Sequence, residues 1–388
     1  MSAKWQILEG DASERLQELP DGCVQTCVTS PPYYGLRDYG VATQLGLEPT
    51  PERYVQALAR VFDEVWRVLR PDGTLWLNLG DSYTTGGGHA GPGHTSQRHG
   101  RDNLPQQNRG TTACPNGFKP KDLLGIPWMV AFALRESGWY LRSDIVWSKP
   151  NPMPESVTDR PTRAHEFVFL LSKSPQYYYD AHAIREPGVD GDHPRNETPA
   201  LDRGQPGASP HSGLRCRQGR NGLGRNRRSV WSIATQPYAG AHFATFPPQL
   251  VEPCILAGTA PQACRICGAP WERVVERTRI AVREGPGRAA ARVAAGHASG
   301  SRRAVTGTMT RPPQQQTTGW RAGCEHDDDR GRCLVLDPFS GAGTVGLVAL
   351  RHDRSYKGVE LNPSYVRLST QRILDDAPLL NAAAQEAA

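Results

Sequence analysis

Long apolar runs are missing from this chain of 388 residues. None approaches the roughly 20 consecutive apolar residues that a membrane-spanning helix needs. Met1 to Gly10 also lack the pattern of a secretory leader, so the expectation is a soluble, cytoplasmic protein with no membrane partner. Hydrophobic residues make up only 38%, with 4 Met and 8 Phe. A core is therefore expected in part of the chain, with long irregular stretches beside it that account for 33 Pro and 40 Gly. Paired carboxylates, a Ser/His/Asp order and a phosphate-loop Lys-Thr are all absent, which removes support for hydrolase and kinase chemistry. No internal repeat is present. Nine cysteines in a cytosolic chain of this length argue for thiols or a metal site, not a disulfide framework.

Acidic residues are scarce in two stretches. Arg185 to Arg228 hold nine Arg against five acids, and Arg265 to Arg321 hold eleven against three. With a formal net charge of +6, the rest of the chain is net negative. Arginine dominates both stretches, and its planar fork suits phosphates and guanine edges. The plainer alternative is a set of solvated, Arg-rich loops.

What remains alternates between strand and helix patterns. Trp5 to Leu8 and Val24 to Thr29 read as strands around a helix that begins near Ala12. Thr50 and Pro51 form an N-cap and first-turn pair, and Tyr54, Leu58, Val61, Val65 and Leu69 recur at helical spacing until Gly73. Strands are expected from Thr74, Trp139 and His165, and helices over Ile126 to Glu136 and Pro248 to Leu256. Such alternation favours an α/β fold with a doubly wound, mostly parallel sheet. Gly80 to Lys119 reads as a long loop. The chain then divides into 1–184, a basic insert 185–230, a return segment 231–260, an Arg-rich insert 261–333, and 334–388.

The strongest signal is "LVLDPFSGAGTVGLVAL" from Leu334: a short apolar strand, a Gly-rich turn and a helix start. Gly341 and Gly343 let backbone amides approach a nucleotide-like cofactor. The following strand, "YKGVE", ends at Glu360, 23 residues beyond Asp337 and suitably placed to accept bonds from ribose hydroxyls. Near the amino terminus, "SPPY" at Ser30 to Tyr33 interrupts an apolar strand with two rigid prolines and an aromatic ring.

Taken together, these stretches resemble the amino-methylating DNA methyltransferases that use S-adenosylmethionine. "SPPY" resembles the catalytic tetrapeptide, "DPFSGAGT" the cofactor loop, "GVELNPSY" the ribose-binding segment, "EGDASERLQELPDG" the segment whose Asp faces adenine, and "HFATFP" the segment closing the methionine pocket. The catalytic motif precedes the cofactor loop, the permuted order of the beta group, and the two basic inserts lie outside the resemblance. It implies a Rossmann-like fold in which the strands ending at Thr29 and Asp337 are neighbours. It also implies catalytic roles for Ser30, Pro31, Pro32 and Tyr33, and cofactor contacts from Asp11, His242, Asp337, Phe339, Gly341, Gly343, Thr344, Glu360 and Asn362. The partner is double-stranded DNA, with Arg225, Arg227, Arg228 and Lys149 as candidate contacts. A cognate restriction endonuclease is a candidate partner that nothing in the sequence specifies, and the host is a bacterium or its phage. Ser30 ranks cytosine N4 ahead of adenine N6 as target. An inactive, zinc-bearing DNA-binding module on the same fold is the reading from another class.

"CRIC" from Cys264 has the Cys-x-x-Cys spacing of a zinc site, and "CEH" from Cys324 supplies a second pair. The expected structural Zn2+ ligands are Cys264, Cys267, Cys324 and His326, with Cys333 as rival for the fourth place.

If the basic inserts supply DNA affinity, binding must weaken steeply with salt as phosphate contacts release counterions. Neutralising Arg225, Arg227 and Arg228 together is expected to shallow the slope of log affinity against log salt. An unchanged slope would mark these arginines as solvated surface.

Overall fold

The computed structural model describes residues 4–36, 41, 43–84, 117–186, 225–236, 246–278, 314–326 and 330–376. Within them the order is β1 (Trp5–Glu9), α1 (Ala12–Leu16), β2 (Val24–Thr29), α2 (Pro51–Val68), β3 (Leu69–Leu79), α3 (Ile126–Glu136), β4 (Tyr140–Ser148), β5 (His165–Ser172) and β6 (Val230–Ser232). The chain continues with α4 (Pro248–Gly258), β7 (Ala263–Cys264), β8 (Glu272–Thr278), β9 (Gln314–Arg321), β10 (Arg330–Gly331), β11 (Leu334–Asp337), α5 (Thr344–Arg351), β12 (Ser355–Glu360) and α6 (Pro363–Asp376).

Two compact units divide the chain. The first comprises Met1–Ala183, Arg228–Glu272 and Ala322–Ala388, and the second Ile184–Arg227 and Arg273–Arg321. The first is built on an eight-stranded sheet of order β1-β12-β11-β2-β3-β5-β4-β6. Pairing is parallel from β1 through to β3 and again between β4 and β6, and antiparallel only where β5 meets β3 and β4. The expected doubly wound α/β sheet is therefore present. All six residues of β2 are buried, as a strand covered on both faces requires.

Alternate residues of the central strands meet different layers. Cys27, Leu75, Leu77 and Leu79 join the core formed with Tyr54, Leu58, Phe62 and Val65 of α2 and with α3. On the other face Thr26 and Thr74 meet α4, where a Cβ on Gly258 would lie 2.6 Å from Thr26 Oγ1. Thr26 Oγ1 and Thr74 Oγ1 are hydrogen-bonded at 2.9 Å beneath it. Trp76 shares that face, with its ring 6.4 Å from those of Tyr179 and Trp231.

Two local readings change. Helix α2 stops at Val68, and Gly73 lies inside β3 rather than closing the helix. Thr50 caps α2 through Arg53 N, but Leu69 already pairs with Val24, so sheet pairing ends the helix before any glycine signal. Helix α6 carries no clear sequence signal, since of its side chains only Ser369 and Ile373 are buried, too few for an apolar stripe. The second unit holds, among its described residues, the pairing of β8 with β9 and an antiparallel bridge between Glu186 and Arg225. In β8 and β9 Arg273 covers the Trp320 ring at 4.4 Å and donates to Thr317 Oγ1.

Because α4 seats directly on two threonine hydroxyls, Gly258→Val is expected to force the helix outward and to cost about 1 to 3 kcal/mol. Thermal unfolding should show a lowered midpoint, with Gly258→Ala intermediate.

Candidate active site

At the sheet's centre, β2 and β11 run side by side, with Thr26 opposite Val335 and Cys27 opposite Leu336. Their carboxyl ends therefore open at one edge, where ligands bind in open α/β sheets because the chain diverges to either side. Thr29 Oγ1 donates to Asp337 Oδ1 at 2.6 Å across the pair. Asp337 is 1% exposed and accepts a second bond from Phe339 N at 3.1 Å, while its Oδ2 has no partner among the described residues. Burial is the main cause that raises this carboxyl to about 7, with nearby Glu360 adding to it and the Thr29 and Phe339 bonds opposing it.

The SPPY loop leaves β2 immediately after Thr29 and is held from below. Tyr54 OH donates to the Pro32 carbonyl at 2.7 Å. Tyr33 lies over Gly80, where a Cβ would sit 2.6 Å from the ring, and over Gly46, whose Cβ would meet the Tyr33 carbonyl at 2.9 Å. Gly46 has φ of +98°, so both its conformation and its surroundings demand glycine. The Tyr33 hydroxyl donates to Glu166 Oε2 at 2.6 Å and accepts from Asn78 Nδ2 at 2.8 Å. Asn78 Nδ2 also reaches Glu166 Oε2 at 2.9 Å and Ser30 Oγ at 3.3 Å. Lys149 closes the network with an ion pair to Glu166 Oε1 while its ammonium covers the Trp147 ring at 4.5 Å. Burial, then the Glu166 charge, holds the Tyr33 hydroxyl well above the ordinary phenol range, so the ring stays neutral.

Across the edge, the loop after Asp337 turns at Gly341 and Gly343, with φ of +51° and +73°. Gly343 is the residue before α5, and a Cβ there would lie 2.8 Å from Ser369 Cβ. Glu360 accepts from Gly341 N at 2.7 Å and Asn362 N at 2.9 Å, and Asn362 Oδ1 accepts in turn from Ser364 N. Burial raises the Glu360 carboxyl. Glu9 pairs with Glu360, and Asp11 caps α1 through Ser13 N at 2.8 Å. Asp11, two residues beyond the end of β1, and Glu360, the last residue of the neighbouring β12, thus lie at the same edge as the Gly-rich loop. Thr344 Oγ1 is engaged by Arg372 at 3.0 Å.

Of the residues singled out from sequence, Ser30, Pro31, Pro32 and Tyr33 lie on one side of the β2–β11 pair. Asp337, Phe339, Gly341, Gly343, Thr344, Glu360, Asn362 and Asp11 lie on the other. His242 falls outside the described residues. Lys149 is ion-paired within the SPPY network, and Arg225 is paired with Glu186 at 3.0 Å. Asn78 and Glu166 escaped sequence reading. The only available signal was an amide in "TLWLNLGD" and a carboxylate in "HEFVFLLS", polar side chains inside apolar strands.

A separate group gathers Cys264, Cys267, Cys324 and His326, with ligand atoms all within 4.8 Å of one another. Cys333 is apart from it: buried, with its Sγ 3.9 Å from Gln262 O and its thiol pushed up to about 12 by burial.

The chain matches the family profile described as DNA methylase, for N6 and N4 methyltransferases, over residues 24–265 and 330–371. It is 41% identical over 368 residues to the type II methyltransferase M.XycI of Xanthomonas campestris pv. cyanopsidis, a match covering 95% of this chain and 87% of that one. With the type II methyltransferase M.SmaI of Serratia marcescens it shares 37% identity over 373 residues, covering 95% and 90% respectively. Among solved structures the cytosine-N4-specific PvuII DNA methyltransferase is similar in fold, with a TM-score of 0.50 at 17% identity over 97% of this chain and 93% of that one.

Asp337 generates a pH dependence of stability. Its carboxyl titrates at about 7 in the fold against about 3.9 when unfolded, so the fold binds the extra proton between those values. Its contribution to stability is full below about pH 4 and is lost as pH rises through about 7. Asp337→Asn is expected to flatten the curve, melting above the wild type at pH 8 and converging with it near pH 4. Parallel melting curves across that range would contradict the assignment.

Proposed function

The chain belongs to the N6/N4 DNA methylase family, and on that premise we propose that it methylates the exocyclic amine of a base flipped out of double-stranded DNA, with cytosine N4 as the target and S-adenosylmethionine as the methyl donor. The observation that carries this reading is the anchored SPPY loop, set one strand away from a glycine turn flanked by two carboxylates.

An exocyclic amine is a weak nucleophile because its lone pair is delocalised into the ring. It reacts only if held so that its hydrogens point at acceptors and its lone pair at the electrophile. Ser30 Oγ and the Pro31 carbonyl are assigned those two hydrogens. The Pro32 carbonyl is committed to Tyr54, which fixes the peptide planes of the loop. Tyr33 supplies a face for the flipped base, a contact worth about 1 to 3 kcal/mol. Its hydroxyl is pinned by Asn78 and Glu166, so the ring is positioned before the base arrives and little ordering entropy is lost at binding. Asn78 and Glu166 are positioning residues, and Lys149 neutralises the carboxylate that holds the ring.

The residues at the neighbouring edge fit the donor. Gly341 and Gly343 take the positive φ that lets backbone amides approach a nucleotide, and vicinal hydroxyls are assigned to Glu360 and an adenine edge to Asp11. When bound, S-adenosylmethionine supplies an electrophilic methyl on a sulfonium. Ser30 as first residue of the tetrapeptide supports cytosine over adenine. In the second unit, Arg227 joins Arg225 as a candidate phosphate contact, and Arg228, a further candidate, belongs to the first unit.

Nucleoside mass spectrometry of DNA treated with the enzyme is expected to show N4-methylcytosine, with no covalent enzyme intermediate. Finding N6-methyladenine would overturn the choice of base, and 5-methylcytosine the role of SPPY itself. Tyr33→Ala is expected to cut turnover by about 5- to 150-fold, the factor that corresponds to about 1 to 3 kcal/mol of lost stacking, while donor binding measured by calorimetry stays near wild type. Glu166→Gln should lower turnover less, since an amide oxygen can still accept from Tyr33.

A further inference from the structure

Two ligand pairs from distant parts of the chain meet at the amino ends of the strands that carry the proposed active site. Cys264 and Cys267 flank a tight turn in which Gly268 N donates to Cys264 O at 2.9 Å and Ile266 N donates to Cys264 Sγ at 3.4 Å. Cys324 and His326 reach it from the other segment. Their approach depends on Gly323, where a Cβ would lie 2.2 Å from the Pro270 carbonyl. Strands β7 and β10 then pair Cys264 with Arg330 and join the two segments again.

The geometry suits one ion. With Zn–S near 2.3 Å and Zn–N near 2.0 to 2.1 Å, a tetrahedral site has S···N edges of about 3.6 Å and S···S edges of about 3.8 Å. Cys264 Sγ and His326 Nδ1 are 3.7 Å apart, and the whole set lies within 4.8 Å. Four protein ligands leave no open position, which marks a structural and not a catalytic metal.

The turn is also tied to the sheet. Gly268 O accepts from Gln25 Nε2 at 2.7 Å, and the other end of that amide, Gln25 Oε1, accepts from Leu334 N. The Cys267 carbonyl accepts from Arg70 of β3. Gly268 has φ of +68°, and a Cβ there would be 3.1 Å from Gln25 Nε2. One turn therefore holds the second residues of β2 and β3 directly, and the first residue of β11 through the Gln25 side chain.

We propose that Cys264, Cys267, Cys324 and His326 bind one structural zinc ion, and that this ion locks the turn which clamps the amino ends of β2, β3 and β11. The carboxyl ends of β2 and β11 carry the SPPY loop and the Gly-rich loop, so the clamp sets the register of the two halves from the opposite side. The proposal does not depend on which base is methylated.

Elemental analysis of protein purified without added metal is expected to find about one zinc per chain. Replacement by Co2+ should give the visible bands and thiolate charge transfer of a tetrahedral site with three sulfurs and one nitrogen. Cys264→Ser with Cys267→Ser should lose the metal and Cys333→Ser should retain it. Should the double variant fail to fold, His326→Cys serves instead: it should keep the metal and shift the Co2+ spectrum to that of a four-sulfur site. Hydrogen exchange should show the Leu334 amide exchanging at least about tenfold faster after chelation. Fully reduced protein that takes up neither Zn2+ nor Co2+, or protein purified in air that holds a Cys264–Cys324 disulfide in place of metal, would overturn the site. Metal retained in the double Ser variant, or lost in Cys333→Ser, would overturn the ligand set, and an unchanged Leu334 exchange rate would overturn the clamp.

Discussion

The hydrogen bond from Thr29 Oγ1 to the buried Asp337 carboxylate joins residues 308 apart in the chain and spans the two central strands at their carboxyl ends. Ser30 follows one partner and the Gly-rich loop follows the other, so the spacing between the proposed base-holding loop and the proposed donor-holding loop is set by this contact and by the parallel register beneath it. A carboxylate buried so completely is expensive to keep charged. Its elevated titration reflects that cost, and the Thr29 hydroxyl and the Phe339 amide are what offset part of it.

The same strand pair is constrained at its other end. Gln25 uses both ends of its side chain, one on Gly268 and one on Leu334, so a slip of β2 against β11 would break bonds at both extremities. Slippage by one residue in a strand also turns every side chain to the opposite face. Here it would swap Thr26, seated under α4, with Cys27, which packs in the α2 core. Fixing both ends is a physical reason why the permuted chain order is tolerated: the site depends on which strands are neighbours, not on which comes first.

Around the SPPY loop the controlling quantity is preorganisation. Glu166, Asn78 and Lys149 spend their polarity on one phenolic hydroxyl and on each other. A charge pair that is only partly buried contributes modestly to stability. Its value lies in holding an aromatic ring in one orientation beside a rigid two-proline turn.

The amino-acid sequence by itself determined the elements with strong local signals. These are the capped, amphipathic α2, the apolar β2 and β11, the glycine turn that only residues without a Cβ can form, and the SPPY and DPFSGAGT stretches whose order identified the permuted arrangement. It also marked the Cys-x-x-Cys and Cys-x-His pairs, because metal ligands carry a spacing. The tertiary structure alone decided the end of α2, since pairing of Leu69 with Val24 overrides a distant glycine. It alone brought Asn78 and Glu166 to Tyr33. Those residues come from strands that are far apart in sequence and adjacent only in the sheet, and a contact between distant strands leaves no periodicity or spacing in either one.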